Sequence, residues 1–409
     1  IVTSIQKMSL IKDLLGIYTH DLETINKKRI VFIIDECHRD TFGTMMASIK
    51  ETFPKAIFFG FTGTPVLDEN KKKFSVTADV FGNELHRYAI ADGIRDHNVL
   101  GFDVYKCPTY KDNDLRKAIA LEKSKSQTEE EAISDPAKSE IFYKYKQDVD
   151  MAGDLDENGN YQRGIEDYLK SNQYNNNVHR EEVVKSILSN WKIISHNNEF
   201  SGILATNSIP EAIEYYRLLK SKNAGDLFNF TLLVDPNIDN NDGAIFKEDG
   251  LVEVIEDYNN IFDQKFSLSS SKSLKKDIQN RLAHKKPYTH IQDKDKIGLL
   301  IVVDQLLTGF DSKWLNVLYL DKVIKFENII QAFSRTNRVY NATTKPFGII
   351  KYYRKPYTME KNIEKAIRLY SGDKPFQLFV PKLEENISMM NKIYSEIEEL
   401  FKSDGVEDF

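Results

Sequence analysis

The chain of 409 residues is long enough for two or more domains, because a single hydrophobic core rarely grows beyond about 300 residues. Its composition, 41% hydrophobic and 29% charged, is that of a soluble protein, and without a run of about 18 apolar residues we expect no membrane span. The net charge of −6 argues against a protein that clamps nucleic acid by bulk positive charge, so any DNA contact must be local. Two cysteines cannot form a disulfide framework and suit a reducing cytoplasm.

The first predicted strand, Ile30–Ile34, ends in two adjacent carboxylates. Its uninterrupted apolar residues predict a central strand of a parallel sheet, covered on both faces. Asp35 and Glu36 follow at the carboxyl end, where open α/β sheets bind ligands. Neighbouring carboxylates repel each other, so the pair predicts a Mg²⁺ ion with a general base beside it. A capping pair at the start of a helix is the simpler alternative.

A connecting helix over Thr41–Lys50 and a second short strand over Ile57–Phe61 complete a β-α-β unit. The right-handed crossover of such a unit makes the two strand ends neighbours. His38 by itself predicts only a local hydrogen-bonding residue. Thr62 and Thr64 end the neighbouring strand, however, and their hydroxyls are candidates to bond His38 and couple the site to a domain cleft. An ordinary hydrogen-bonded turn is the alternative for the two threonines.

Residues 110–180 are rich in Lys, Glu, Asp and Asn and predict an exposed, partly helical insertion. Its run Asp154–Asn160 resembles half of a calcium loop, but Ile165 stands where a bidentate Glu is required, so we expect a solvated loop. A second α/β unit follows, with a helix over Ile209–Lys220. Its predicted strands cover Ser201–Thr206, Phe230–Val234, Ile297–Asp304, Asn316–Asp321 and Phe347–Tyr352.

Two α/β units joined by a polar connection predict two lobes with a cleft between them. We expect the first lobe over residues 1–93, a connection with the charged insertion over 94–195, the second lobe over 196–355 and a helical region over 356–409. In this last region the apolar residues recur at helical spacing and predict a tail that packs on the lobes or on a partner. They are Ile363, Ala366, Ile367, Tyr370, Leu383, Ile387, Met390, Ile393, Ile397 and Leu400.

Short polar groups follow a buried strand of the second unit. Gly309 permits close backbone approach, while Thr308 and Asp311 offer polar groups to a phosphate or a nucleotide. A turn that merely ends the strand is about as good an explanation for these three residues taken alone.

Further along the chain, Gln331, Arg335 and Arg338 are spaced i, i+4 and i+7. On a helix this spacing places one amide and two guanidiniums on a single face. A planar guanidinium suits a γ-phosphate whose charge spreads in the transition state. A merely solvated basic face is the alternative, although such a face would not need the glutamine.

Four segments in this order resemble motifs II, III, V and VI of superfamily 2 helicases: Ile33–His38, Phe61–Pro65, Leu307–Asp311 and Gln331–Arg338. The sequences Leu-Thr-Gly-Phe-Asp and Gln-Ala-Phe-Ser-Arg-x-Asn-Arg together resemble the motor part of the restriction (R) subunit of type I restriction-modification enzymes. Thr3–Lys7 is similar to that family's DNA-contacting motif Ib, and Phe200–Lys220 takes the place of motif IV. The resemblance covers nearly the whole chain.

The resemblance implies an α/β fold with two RecA-like lobes, the first incomplete, and ATP with Mg²⁺ as cofactors. It assigns Mg²⁺ binding through water to Asp35, activation of the attacking water to Glu36, γ-phosphate sensing to Gln331, and stabilisation of the transferring charge to Arg335 and Arg338. Other residues that it implies for the nucleotide are His38, Gly309 and Asp311. Residues that it implies for DNA contact are Thr3, Gln6, Thr206 and Thr308.

By resemblance, the parent protein translocates double-stranded DNA in the prokaryotic cytoplasm, in complex with methyltransferase (modification) and specificity subunits, and cleaves DNA away from the recognition site. The chain contains no Gly-x-x-x-x-Gly-Lys-Ser/Thr loop and no nuclease motif. We interpret both absences as truncation, which predicts a carboxy-terminal fragment with half an ATP site that is inactive on its own. The helical tail is where the family would place its partner-docking surface.

Two alternatives stay open. The first is another superfamily 2 motor, such as an RNA helicase or a chromatin-type remodeller, which the Leu-Thr-Gly-Phe-Asp motif disfavours. An inactive scaffold that only binds partners is disfavoured by the retained Glu36, Arg335 and Arg338.

Overall fold

The computed structural model describes residues 1–11, 15–38, 42–67, 76–223, 227–234, 244–341, 343–371, 378–379, 390–395 and 397. Within these ranges, no helix combines the length and the apolar character needed to cross a membrane. The described chain forms two α/β units with an insertion between them.

The first unit is built on two parallel strands, β1 (Val31–Ile34) and β2 (Ile57–Gly60). Val31 pairs with Ile57 and Ile34 pairs with Gly60, so the two carboxyl ends lie side by side as predicted. The helices of this unit are α1 (Ile5–Ser9), α2 (Leu15–Asn26), α3 (Phe42–Thr52), α4 (Thr77–Phe81) and α5 (Ile90–Arg95).

The two faces of this sheet differ in burial. On the inner face, the ring of Phe32 stacks on Phe58 at a centroid distance of 4.9 Å and packs beside buried Phe53. On the outer face, Ile33 is 74% exposed and Phe59 is 38% exposed. The prediction that the strand is covered on both faces is therefore wrong for the described residues. Successive side chains of a strand point to opposite faces, and nothing in the described part of the chain buries the outward row.

Between the two units lies β3 (Phe102–Lys106), followed by the insertion. The elements of the insertion are α6 (Asp112–Lys123), α7 (Glu129–Ser134), α8 (Pro136–Tyr143), a π-helical turn (Lys144–Asp148), the hairpin of β4 (Asp154–Leu155) and β5 (Tyr161–Gln162), α9 (Ile165–Tyr168) and a 3₁₀ turn (Ser171–Gln173). The hairpin's turn falls within the predicted solvated loop, where Asp156 Oδ1 accepts the backbone N–H groups of Asn158 and Asn160.

The second unit contains a six-stranded parallel sheet with the strand order β3-β10-β9-β6-β8-β7. Its further elements, in chain order, are α10 (Asn177–Ile194), β6 (Ser201–Thr206), α11 (Ile209–Lys222), β7 (Phe230–Leu233), α12 (Ala244–Phe262), α13 (Ser271–Leu282), β8 (Leu299–Val302), β9 (Leu315–Asp321), α14 (Glu327–Phe333), β10 (Gly348–Tyr352) and α15 (Pro356–Tyr370).

Helices cover both faces of the second sheet, which explains why its strands are apolar without alternation. Every residue of β6 and β9 is buried. Ile203 contributes to a core shared with α13, α14 and α15, whereas its neighbour Leu204 contributes to a core shared with α10 and α11. The predicted α/β class with parallel sheets is confirmed, as are the five strands predicted for the second unit.

The second sheet also takes a strand from outside the predicted lobe. β3 pairs along its length with β10, so a segment placed in the connection by the sequence forms the edge of this sheet. The domain boundaries stay predictions. The predicted helical tail is described as α15 up to Tyr370. Of the later apolar residues, Met390, Ile393 and Ile397 are described and exposed, whereas Leu383, Ile387 and Leu400 lie outside the described residues.

Candidate functional site

Polar side chains from both sheets meet where the strands end. In the first unit, Asp35 and Glu36 follow β1 and are both exposed. Glu36 adopts a positive φ of 53°, a conformation that few side chains adopt without strain. Its backbone N–H donates to Asp35 Oδ1 at 2.9 Å. This turn ends the strand abruptly and points two carboxylates away from the apolar core.

His38 lies just beyond the turn and joins the two strand ends of the first unit. Its Nδ1 is 2.7 Å from Thr62 Oγ1 and 3.4 Å from Glu36 Oε2. Thr62 Oγ1 also accepts the backbone N–H of Thr64 at 3.0 Å, so the segment after β2 is held by the same hydroxyl. The contact between His38 and Thr62 that the sequence suggested is therefore present.

Gln331 connects this cluster to the second unit. It lies on α14, and its side-chain Nε2 donates to Thr64 Oγ1 at 3.0 Å and lies 3.2 Å from His38 Nε2. A hydrogen bond from the amide requires an unprotonated Nε2, which leaves the His38 proton on Nδ1, facing Thr62. One glutamine thus hydrogen-bonds both strand ends of the other unit.

Arg335 and Arg338 do not share a helix face with Gln331, contrary to the sequence prediction. α14 ends at Phe333, so both arginines lie beyond it. Arg335 Nε instead donates to the Gln331 carbonyl at 2.9 Å, and its Nη1 donates to the Phe310 carbonyl. The guanidinium is therefore tied to the end of α14 and to the loop that follows β8.

Contacts of Thr336 accompany the early end of α14. The Thr336 backbone N–H and hydroxyl both donate to the Phe333 carbonyl, each at 3.0 Å, so this carbonyl is satisfied without the bond that a longer helix would give it. Thr336 is fully buried against Gly348, where an added Cβ would lie 2.2 Å from the Thr336 Oγ1. This close approach draws the chain away from the helix axis and toward the sheet.

Arg335 nevertheless brings positive charge to Glu36 of the first unit, while Arg338 pairs within the second unit. Arg338 Nε lies 2.6 Å from Asp311 Oδ1. Burial lowers the pKa of Arg335 from its usual value, and the neighbouring charge of Arg338 lowers it further, while Asp311 and Glu36 act in the opposite direction. Because Glu36 belongs to the first unit, this electrostatic interaction crosses between the units.

The residues predicted to contact DNA differ in exposure. Thr3, Gln6 and Thr308 are exposed, and Gly309 beside Thr308 has a φ of 72°. Thr206 is fully buried, and its hydroxyl donates to the Val302 carbonyl at 3.1 Å. The prediction of a DNA contact for Thr206 is therefore wrong in this structure, because its side chain sits inside the second sheet.

A buried ionic network at the end of β9 was not predicted. Asp321 is fully buried and accepts hydrogen bonds from Tyr215 Oη at 2.7 Å and from Arg354 Nη2 at 3.1 Å, while its Oδ1 lies 2.7 Å from His179 Nε2. Arg354 Nη2 also donates to Glu211 Oε2 at 2.6 Å. Burial alone would raise the pKa of Asp321, but the His179 and Arg354 contacts outweigh it and lower that pKa.

In sequence, the signal for this network is an acidic residue that closes an apolar strand, as Asp35 closes β1. The network ties α10, α11, β9 and the segment after β10 together beside the predicted cleft. Among the described residues, no cluster of three or more His, Cys, Asp or Glu side chains could hold a metal ion by itself.

Comparisons with known proteins show which family the chain resembles. The model of the SWI2/SNF2 ATPase family matches residues 1–140, and the model of type I restriction enzyme subunit R domain 3 matches residues 198–355. The SauMRSORF196P endonuclease subunit of a type I restriction enzyme from Staphylococcus aureus (strain MRSA252) is 34% identical over 390 residues, covering 91% of this chain and 35% of the relative. The chain belongs to the type I restriction enzyme endonuclease (R) subunit family.

A further relative and a solved structure are also similar to the chain. The SsaAORF53P endonuclease subunit from Staphylococcus saprophyticus is 33% identical over 384 residues, covering 91% of this chain and 35% of that subunit. Among solved structures, the ATP-dependent type ISP restriction-modification enzyme LlaBIII bound to DNA is 12% identical with a TM-score of 0.42, covering 84% of this chain and 20% of that one. The chain thus spans 35% of the length of each of these two R subunits from Staphylococcus.

Proposed function

We propose that this chain forms the parts of an R-subunit motor that close around ATP and Mg²⁺ to move double-stranded DNA. The single observation that carries the proposal is the bridge from Gln331 on α14 to His38 and Thr64. The bridge lies at the carboxyl ends of the strands, and α/β sheets bind ligands at these ends. Binding there can be coupled to the relative arrangement of the units, which a motor requires.

The residues at the bridge have the chemistry that a magnesium nucleotide needs. Mg²⁺ bound to a nucleotide keeps several waters and takes one or two carboxylates together with phosphate oxygens, so it does not need a site made only of protein ligands. Asp35 supplies such a carboxylate, and Arg335 and Arg338 supply positive charge for phosphate oxygens. The site therefore fits the group, although the described residues contain no complete metal cluster.

Within this proposal, Asp35 would hold Mg²⁺ through water. The bound ion would neutralise charge on the phosphates and orient them. Glu36 Oε accepts the proton of the attacking water, which its exposed position after the turn permits.

Arg335 and Arg338 stabilise the charge that spreads over the transferring phosphoryl group. Arg335 is oriented in advance by the Gln331 and Phe310 carbonyls, which lowers the entropic cost of placing its guanidinium. Arg338 is held by Asp311, so a phosphate would compete with that carboxylate for it. Gly309 and Asp311 complete the side of the site that the second unit supplies.

Gln331 senses the γ-phosphate through its amide, and His38 transmits the state of the site to Thr62 and Thr64. A shift of α14 alters the hydrogen bonds to both strand ends of the first unit at once. Thr3, Gln6 and Thr308 are the residues that we propose for DNA backbone contact, because each is exposed.

For the whole subunit, we propose ATP-driven translocation of duplex DNA followed by cleavage away from the recognition site, in complex with methyltransferase and specificity subunits. The relatives are about three times as long as the aligned part, since it covers 35% of their length. In this proposal the loop that cradles the nucleotide phosphates lies in sequence beyond the match. The lobes are assigned to residues 1–93 and 196–355, the connection and insertion to 94–195 and the start of the docking region to 356–409.

The proposal is tested by the polynucleotide dependence of ATP hydrolysis. A subunit of the relatives' full length that contains this chain is assayed with duplex DNA, with RNA and with no polynucleotide. We expect stimulation by duplex DNA and none by RNA, and negligible hydrolysis by the 409-residue chain alone. Equal stimulation by RNA would favour a general superfamily 2 motor, and no hydrolysis under any condition would favour the inactive scaffold.

A further inference from the structure

α13 lies in a segment whose charge is opposite to that of the chain. Residues 267–296 contain eight lysine or arginine residues against three aspartates, whereas the whole chain carries a net charge of −6. The helix is amphipathic: Leu274 and Ile278 are buried in the core, while Lys272, Ser273 and Lys276 are exposed. Two of the eight basic residues, Lys272 and Lys276, therefore lie on the outward face of the helix.

The single acidic residue of α13 does not neutralise that face. Asp277 pairs with buried Arg281 at 3.0 Å and accepts hydrogen bonds from the hydroxyls of Tyr258 and Tyr288, each at 2.5 Å. No carboxylate of the described residues lies within ion-pairing distance of Lys272 or Lys276. Their charges are available to an external anion.

The first half of α13 lies at the ligand-binding edge of the second sheet. Lys275 Nζ donates to Oε1 of Gln305, which follows β8 and precedes the exposed Thr308. The other end of the helix lies at the opposite edge, where the Ser312 hydroxyl, just ahead of β9, donates to the Leu282 carbonyl at 2.9 Å. Lys272 and Lys276 therefore share an edge with Thr308.

We infer that the exposed face of α13, through Lys272 and Lys276, binds the phosphate backbone of double-stranded DNA next to Thr308. The inference rests on the proposed function, since it names a surface on which the moving DNA is held. The two lysines are one helical turn apart, about 6 Å along the axis. One strand of a duplex carries a phosphate per about 3.4 Å of axis, so the pair spans about two phosphates.

Lysine suits a contact that must be made and released repeatedly. Its ammonium is a hydrated point charge on a flexible stem, which suits contacts with phosphate oxygens. A backbone contact of this kind binds every sequence alike, which a protein moving along DNA requires. The Ser273 hydroxyl between the lysines offers a further donor to the same backbone.

The test is equilibrium binding of a fluorescent DNA duplex to the 409-residue chain without nucleotide, measured by anisotropy at several salt concentrations. The variant Lys272→Gln/Lys276→Gln removes both charges. The control Lys285→Gln/Lys294→Gln removes two exposed charges of the same segment that lie toward the opposite edge of the sheet. Circular dichroism verifies that all three proteins are folded.

If both lysines contact phosphates, the slope of log K against log salt becomes shallower by about 1.8, because each contact contributes about 0.9. If the variant and the wild type bind equally at 1 M salt, this change in slope lowers the affinity of the variant by about 60-fold at 0.1 M salt. The control variant is expected to stay within about twofold of the wild type, since its lysines lie away from the proposed track.

Three results would overturn the inference: no binding of the duplex by the wild type, equal affinity and slope for the α13 variant and the control, or tighter binding of duplex RNA than of duplex DNA. Because no ATP is present, the outcome is separate from the test of the proposed function. If substitution in α13 lowers the DNA affinity of the 409-residue chain, the inference holds even if the full-length subunit shows no DNA-stimulated hydrolysis.

Discussion

The substitution Arg354→Met probes the buried network at the end of β9. Arg354 donates to Asp321 from Nε at 3.2 Å and from Nη2 at 3.1 Å, and to Glu211 at 2.6 Å. Methionine keeps the apolar stem but removes the ion pairs of Arg354 with two buried carboxylates, so Glu211 loses this partner and Asp321 keeps His179. Breaking a buried pair in this way costs about 3 to 5 kcal/mol.

The matched control is Arg217→Met. Arg217 pairs with Glu253 at 2.8 Å, but the two side chains are 39% and 30% exposed, so the pair is worth less than about 1 kcal/mol. The assay is urea unfolding of the 409-residue chain followed by the fluorescence of its two tryptophans, of which Trp191 is fully buried in the second unit. With a slope of about 2 kcal/mol per molar urea, the Arg354 variant should unfold about 2 M earlier than the wild type.

The loss of stability in the Arg354→Met variant should also depend on pH. His179 and Arg354 lower the pKa of Asp321 in the fold, so their stabilisation is present above the unfolded pKa of about 4 and is lost as pH falls through the lower folded pKa. Burial raises the pKa of Glu211, so its pairing with Arg354 weakens at a higher pH than that of Asp321. The difference in stability between wild type and Arg354→Met should therefore begin to narrow above about pH 4 and narrow further below it. An Arg354 variant that unfolds within about 1 kcal/mol of the control at pH 7 would refute the reasoning that this network is buried and coupled.

Two further predictions concern the cleft and the corrected DNA contact. Gln331→Ala removes the bridge to His38 and Thr64. In the full-length subunit we therefore expect DNA-stimulated ATP turnover to fall by about 5- to 150-fold while ATP binding changes little. The control is Gln127→Ala at an exposed site, and equal turnover by the two variants would contradict the role of the bridge. Thr206→Val should leave DNA affinity unchanged but lower the free energy of unfolding by about 1 kcal/mol, because the Val302 carbonyl loses its donor. A loss of DNA affinity without a loss of stability would restore the original assignment of Thr206.

Local chemistry made much of the fold predictable. The apolar runs of β6, β8 and β9 are long and bounded, so their positions followed from the pattern. The neighbouring ends of β1 and β2 followed from the handedness of β-α-β units. The contact between His38 and Thr62 was expected for the same reason, because both residues follow those strand ends.

Features that depend on packing between distant residues were not predictable in the same way. The end of α14 is set by the fit of Thr336 against Gly348, which no helical spacing reveals. β3 lies more than 240 residues before its partner β10, so its place in the second sheet depends on a pairing that local pattern does not contain. Asp321 finds its partners on α10, on α11 and after β10, and only the folded chain brings them together.

The most direct test of the central claim is DNA translocation by the full-length subunit assembled with its partner subunits, measured as ATP-dependent displacement of a third strand from duplex DNA. The variant is Glu36→Gln, and the control is Glu23→Gln, an exposed glutamate on α2. Loss of a general base lowers the rate by about 10² to 10⁴, so Glu36→Gln should bind ATP yet fail to displace the strand, while Glu23→Gln behaves as wild type. Displacement by Glu36→Gln at near the wild-type rate would contradict the account.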